Sequence, residues 1–271
     1  MEITTWNIQA ALGVDDVVDP LRIVNHIKAF GNSEILCIQE VIRNESDDSY
    51  YGLAEELRSN FPEYEMMFGP AVNRTEEKGR YQFGNLILSK VPVDAVFMHR
   101  LPQPSDPTTR TMARQAIEII VSYKDQPLRV VTTHLEYFGI QQREAQLRYL
   151  GEYQQECCGR FNKPSPSGEG SYVAPPETNR TIVCGDFNME SGTDHYQQFL
   201  TYGFSDAWTI AHGSHPHAPT CGIYDHKQWA DGEHTRDFFF VSDALTDVVA
   251  DVQVDTKTQA SDHQPVKLIL K

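Results

Sequence analysis

Short apolar or β-branched runs that end in polar residues recur along the chain, and each reads as a buried strand. They are EILCIQE (34–40), NLILSK (85–90), QAIEIIVSY (115–123), LRVVTTHL (128–135), TIVCGDFN (181–188) and DFFFVSD (237–243). In VADVQVDT (249–256), Val252 and Val254 alternate with Asp251, Gln253 and Asp255, the pattern of a strand with one wet face. Helical spacing falls between these runs. Asp19 and Pro20 form an N-cap and first-turn pair ahead of Leu21, Val24 and Ile27. Further stripes are Leu53, Leu57 and Phe61, then Leu147, Leu150, Cys157 and Phe161, then Tyr196, Phe199 and Leu200, closed by Gly203.

Strands outnumber helices and several are adjacent, so the pattern predicts a layered α/β sandwich rather than a doubly wound parallel sheet. The Pro/Gly/Ser-rich stretches 102–109 and 163–178 are too short to divide the chain, and chemistry-bearing segments lie on both sides of each. They read as surface loops of one domain spanning residues 1–271.

Composition narrows the class. With 271 residues, 40% apolar and 23% charged, the chain is of the soluble globular type, long enough to bury a large core without disulfides. Cys37 and Cys184 sit in apolar runs, Cys157 and Cys158 are adjacent, and Cys221 stands alone. Such an odd, unpatterned set predicts reduced thiols, and no zinc spacing appears among them. The opening MEITTWNIQ has neither a basic nor an apolar signal region, so a cytoplasmic protein without membrane insertion is expected. The net charge of −15 argues against a duplex-sliding nucleic-acid binder and fits a metal-dependent enzyme or a small or single-stranded substrate.

The chemistry sits where the strands end. Asn7 follows TTW, Glu40 follows LCIQ, His134 follows VVTT, Asp186 and Asn188 lie in CGDFN, and Asp262 with His263 lie in ASDHQP. Strand ends on one edge of a sandwich converge, which is how a site is assembled from distant segments. Glu40, Asp262 and the amide oxygen of Asn7 are hard ligands suited to Mg²⁺. The two histidines remain for proton work. An imidazole held by a carboxylate gains basicity and a fixed tautomer, so Asp237 and His263 would form a tuned pair if they meet.

The ordered motifs WN, QE, THL, GDFN, the Arg-Asp of RDFF, and SDH resemble the signature of the endonuclease/exonuclease/phosphatase superfamily, the deoxyribonuclease I-like proteins, over Trp6 to His263. The resemblance implies two packed mixed β-sheets flanked by helices and Mg²⁺- or Mn²⁺-dependent hydrolysis of phosphoesters. It implies Glu40 as principal metal ligand, assisted by Asn7 and Asp262, and Asp186 with Asn188 positioning the attacking water and the scissile phosphate. His263 is implied as the phosphate-contacting base oriented by Asp237. His134 is implied as a second histidine that binds phosphate or protonates the leaving group.

Weaker candidates surround these. Arg110 and Arg114 could grip a phosphate, Tyr81 could line the cleft, and Glu136 could orient His134 or sit at a solvated rim. Residues 211–234 hold His212, His215, His217, His226 and His234 without ligand spacing, which reads as a solvated loop overhanging the pocket. Trp208, Tyr224 and Trp229 give that segment aromatic faces that could stack a base. The expected activity is hydrolysis of phosphodiesters in short or single-stranded nucleic acid by a monomer. A phosphatase or phosphodiesterase for a small or lipid-derived phosphate, and a non-catalytic binding protein on the same fold, are the alternatives.

Overall fold

The computed structural model describes residues 1–31, 33–44, 52–77 and 79–271. Two six-stranded mixed sheets pack face to face. The first contains β1 (Glu2–Asn7), β2 (Ile35–Asn44), β3 (Glu65–Glu76), β4 (Gly79–Ser89), β11 (Val249–Val254) and β12 (Val266–Leu270), in the order β11-β12-β1-β2-β4-β3. The second contains β5 (Val93–Arg100), β6 (Gln115–Tyr123), β7 (Gln126–His134), β8 (Thr181–Asp186), β9 (Phe204–Asp206) and β10 (Asp237–Ser242), in the order β5-β6-β7-β8-β10-β9. Each sheet has a parallel pair at its centre, β1 with β2 and β7 with β8.

Three apolar clusters explain the layering. One, with Ile3, Ile35, Ile87, Ile119, Val130 and Phe239, fills the space between the sheets. A second packs α1 (Pro20–Phe30) and α2 (Leu53–Asn60) on the outer face of the first sheet through Trp6, Ile23, Ile27, Leu57 and Phe61. A third packs α3 (Ile140–Asn162) and α4 (Asp194–Leu200) on the second sheet through Leu147, Leu150, Phe187 and Phe199. Sheets covered on both faces are apolar on both, which is why their strands read as continuous runs rather than alternations.

Asp19 does cap α1, accepting from the Arg22 N–H at 3.1 Å. The apolar face of that helix is Ile23, Val24 and Ile27, whereas Leu21 is 53% exposed. Phe161 is likewise exposed, and α3 buries Gln142, Gln146 and Gln154 beside its aliphatic residues. Four strands carried no clear signal in the sequence. β3 contains Gly69-Pro70, a turn-like pair absorbed by an irregular register between Pro70 and Val72. β5 is an outer strand whose apolar residues fall on both faces, β9 has only three residues, and β12 buries Lys267 among Leu and Ile. Lys267 Nζ is held by the Phe30 carbonyl at 2.7 Å and Glu2 Oε2 at 3.2 Å.

Candidate active site

Backbone pairing sets the second sheet's contribution. His134 is the parallel partner of Asp186, and Asp186 the antiparallel partner of Asp237, so the three stand side by side on β7, β8 and β10. Gly185 makes this row possible. It has φ +133°, and a Cβ there would lie 1.9 Å from the Thr133 carbonyl oxygen, so only glycine lets β7 and β8 approach at that point. Two residues beyond Asp186, Asn188 turns back in the left-handed region at φ +50°. Its N–H donates to Asp186 Oδ1 at 2.9 Å and its Nδ2 to the Leu135 carbonyl at 3.0 Å.

The first sheet contributes through a distortion. Asn7 ends β1 opposite Gln39, and β2 then bulges: Ile38 pairs with Leu86 but Val41 with Gly84, which leaves one extra residue on β2. Glu40 occupies this bulge at φ +59°. A bulge re-aims a side chain, here toward the second sheet's row, and a non-glycine residue in this conformation costs on the order of 1–3 kcal/mol. Asn7 Nδ2 then donates to both Glu40 Oε1 and Asp186 Oδ2 at 3.0 Å, bridging the two sheets. Its amide oxygen accepts from the Gln9 N–H at 3.1 Å, so the nitrogen, not the oxygen anticipated as a metal ligand, faces the carboxylates.

Asp262 and His263 come from the segment entering β12, pinned by Ser261 Oγ to the Asn7 carbonyl at 2.8 Å and by Trp6 Nε1 to the His263 carbonyl at 2.9 Å. Asp262 Oδ2 accepts from Trp229 Nε1 at 3.2 Å. Asp237 and His263 do meet, Oδ2 to Nδ1 at 2.9 Å, and His263 Nε2 lies 3.6 Å from Asp186 Oδ2. His134 Nε2 lies 3.4 Å from the same oxygen, and its Nδ1 is 3.9 Å from Glu40 Oε1.

Glu40, His134, Asp186, Asn188 and His263 open onto a cleft of about 480 Å³, with Asn7, Asp237 and Asp262 buried beside them, and Arg110, Arg114, Trp229, Phe83, Met112, Tyr137, Phe138 and Gln228 complete its wall. Of the weaker candidates, Arg110 stacks on Phe138 with its guanidinium carbon 3.9 Å from the ring centroid. Arg114 is buried, 3.6 Å from Glu136 Oε2. Glu136 does not orient His134; it takes Arg114 and the N–H groups of Met112 and Phe138. Tyr81 lies under the guanidinium of Arg74, and Phe83, two residues along the same strand, lines the cleft instead. Trp229 is buried and meets His263 edge to face with Arg236 over its ring at 4.7 Å, so it shapes the wall rather than offering a face.

Sequence reasoning passed over Gln9 and Arg143 and gave Arg236 no role beyond its place in the RDFF motif. Arg143 donates to the Glu136 and Tyr137 carbonyls, and its charge is felt by Asp186 and Arg236. An arginine early in a helix gives no sign that its helix end abuts the cleft. Of the histidines of 211–234, His217 pairs with Asp206 at 2.6 Å, His212 with the Val252 carbonyl, and His234 with Arg236.

The electrostatics are lopsided. Burial, then the charge of Asp262, pushes the Glu40 carboxyl up, and burial does the same to Asp262 and Asp237. Burial opposes ionisation of Asp186 too, but His263, His134 and the N–H groups of Asn188 and Asn7 outweigh it and hold that carboxyl below its usual range. Burial, then the nearby Arg114 charge, lowers His134 to about 3, so it is neutral. His263 is the reverse case: burial works against its charge, yet its neighbours raise it well above the usual value. Cys221, one of those neighbours, is itself pushed by burial to about 12 and uncharged near neutrality, so Asp237, Asp186 and Asp262 sustain the imidazolium.

Glu40 and Asp262 are thus two oxygen donors, a divalent cation would offset the Asp262 charge that pushes the Glu40 carboxyl up, and the donor set fits Mg²⁺ or Mn²⁺. Among the described residues, a separate group of metal-capable atoms lies behind His263, formed by Cys221, Asp237 and His263. Its sulfur makes it a poor match for Mg²⁺.

A model of the Endonuclease/Exonuclease/phosphatase family matches residues 4–263. The chain belongs to this family. Its members are hydrolases of phosphoesters and generally depend on a divalent metal. Solved structures of the family share the fold at low identity. An endonuclease/exonuclease/phosphatase from Beutenbergia cavernae has TM-score 0.73 and 20% identity, over 99% of this chain and 70% of that one. A mannosyl-6-phosphatase from Bacteroides thetaiotaomicron has TM-score 0.72 and 18% identity, over 100% and 99%. A 3′ phosphatase from Neisseria bound to a product DNA hairpin has TM-score 0.64 and 20% identity, over 100% and 99%. A search of curated protein sequences gave no match. No helix among the described residues is long and apolar enough to cross a membrane.

Proposed function

We propose that the protein is a divalent-metal-dependent phosphoester hydrolase that cleaves phosphodiesters in short or single-stranded nucleic acid by direct attack of water. The observation that carries the reading is the convergence of Glu40, Asp186, Asp237 and Asp262 with His134 and His263 at one cleft. Glu40 and Asp262 would hold the cation, which supplies positive charge to a non-bridging phosphate oxygen. Asp186, ionised and fixed by Asn7 and Asn188, orients the attacking water and takes its proton. His263, charged and braced by Asp237 and so a proton donor rather than the base that the resemblance implied, donates from Nε2 to a phosphate oxygen, and neutral His134 donates one N–H beside it. Asn7 acts as the strut between the carboxylates of the two sheets.

Arg110 and Arg114 line the cleft in a chain of net charge −15, with Arg143 and Arg236 packed against its wall at Tyr137 and Trp229, a local positive field that suits a phosphate backbone. Half-exposed Phe138, with Arg110 on its ring, offers a face for a base. The acidic surface and confined cleft favour, as a second reading, a small phosphate ester of the kind a sugar phosphatase takes. That the fold neighbours include a phosphatase acting on DNA and one acting on a sugar phosphate is compatible with either.

The test is Mg²⁺- and Mn²⁺-dependent hydrolysis of a panel containing a single-stranded oligonucleotide, a small diester and phosphate monoesters, with His263→Ala in parallel. Cleavage of the oligonucleotide that fades steeply with salt and is lost in the variant supports the first reading. Salt-insensitive turnover of a monoester alone supports the second. Activity unchanged in His263→Ala, or a wild type inert toward every ester, would overturn both.

A further inference from the structure

Behind the cleft, His263 has a second neighbour that phosphoester chemistry does not use. Cys221 Sγ lies 3.3 Å from His263 Nδ1 and 4.0 Å from Asp237 Oδ2, and those two atoms are 2.9 Å apart. All three side chains are buried, and none of the three is near another in sequence. Asp237 is 3% exposed, yet its other oxygen, Oδ1, has no hydrogen-bond partner among the described residues. A void of about 10 Å³ bordered by Asp237, Thr220 and Thr235 has room for roughly one water.

Tetrahedral zinc bonds of about 2.3 Å to sulfur and 2.0–2.2 Å to nitrogen and oxygen place ligand atoms about 3.3–3.7 Å apart. The triangle here, with edges of 3.3, 2.9 and 4.0 Å, matches after shifts of a few tenths of an ångström. We propose that Cys221, Asp237 and His263 form a binding site for a soft divalent cation, Zn²⁺ above all, that switches the enzyme off. A thiolate in the donor set selects Zn²⁺ or Co²⁺ over Mg²⁺, in contrast to the all-oxygen pair Glu40 and Asp262.

Binding displaces two protons, one from Cys221 Sγ and one from His263 Nδ1, and leaves a neutral imidazole with its remaining proton on Nε2. The ion takes the Asp237 oxygen that braced the ring, so His263 loses both the charge and the brace with which it would meet a phosphate. The inhibitory part rests on the role given to His263 above; the binding part does not.

The two parts are tested separately on the full chain with Mg²⁺ present. Co²⁺ titration reports thiolate ligation through a sulfur-to-cobalt charge-transfer band, and Zn²⁺ added afterwards should abolish it. The band at one equivalent in wild type, absent in Cys221→Ser, supports the site. Co²⁺ or Zn²⁺ bound with no sulfur ligand overturns it. Hydrolysis inhibited by micromolar Zn²⁺, with the midpoint raised at least tenfold in Cys221→Ser, supports the switch, and superimposed curves overturn it by placing the inhibitory ion at Glu40 and Asp262. Should the variant not fold, X-ray absorption of the zinc-loaded wild type decides: a sulfur neighbour near 2.3 Å supports the site, and an all-nitrogen/oxygen shell overturns it.

Discussion

Two buried charge clusters, one on the second sheet alone and one where the two sheets meet at the cleft, are built on opposite principles. Away from the cleft, Glu118 takes Arg129 Nε at 2.9 Å on one oxygen and faces His99 Nε2 at 3.2 Å with the other. Arg129 goes on to the Thr178 carbonyl and Thr181 Oγ1, and His99 to the Tyr149 hydroxyl at 3.1 Å. Every charge there has its complement. At the cleft, four carboxylates crowd one neutral and one charged histidine, while His134 Nδ1, Asp237 Oδ1 and Arg114 Nε are buried without hydrogen-bond partners among the described residues. Buried charge that is fully paired serves the fold. Buried charge left in surplus is a binding potential waiting for a cation and a phosphate.

The contrast can be broken by experiment. Asp262→Asn should lower hydrolysis by about 10²-fold or more while raising the melting temperature without metal, because burial holds that carboxyl above its usual range and the charge costs stability. A fall in both would make the cluster structural. His134 sharpens the same point through pH. Its folded-state pKa of about 3 lies below the ordinary 6.5, so its contribution to stability is complete above pH 6.5 and is lost as pH falls toward 3. The loss is at most about 5 kcal/mol, and denaturant unfolding across that window should show a flatter acid limb in His134→Gln.

Glu118→Ala should cost about 3–5 kcal/mol by stranding the Arg129 charge, yet leave kcat near the wild-type value. A lost kcat at unchanged stability would reverse the two clusters' roles. Mg²⁺ at a hundred times its dissociation constant should stabilise the wild type by about 2.7 kcal/mol, and Glu40→Gln should remove most of that gain in a calorimetric scan.

How much of this was legible in the sequence follows from what each residue depends on. His134, Asp186 and Asp237 end or begin strands whose composition announces them, and in-register pairing then does the rest. The layered α/β sandwich followed from the same runs, while its two packed mixed sheets with flanking helices were what the family resemblance implied. The bulge at Glu40 was invisible, since nothing in QEVIRN signals an extra residue; β2 runs on to Asn44 rather than stopping at Glu40. Tyr81 and Phe83 share a strand face, and alternation along the strand does not encode which of the two stands at the cleft. The Cys221 triangle joins three segments far apart in the chain, a closure that no local spacing encodes.

The Gly185 contact sets the spacing of the chemistry by a means that has little to do with side chains. Because His134, Asp186 and Asp237 are neighbours through backbone pairing, their separations are inherited from the repeat of the sheet, as sites in a crystal inherit theirs from the lattice. The apolar residues behind them are then free to change in identity so long as they fill the same volume. Sequence can drift a long way under such a scheme, because the ruler that spaces these three side chains is the backbone repeat and not the residues that fill the core.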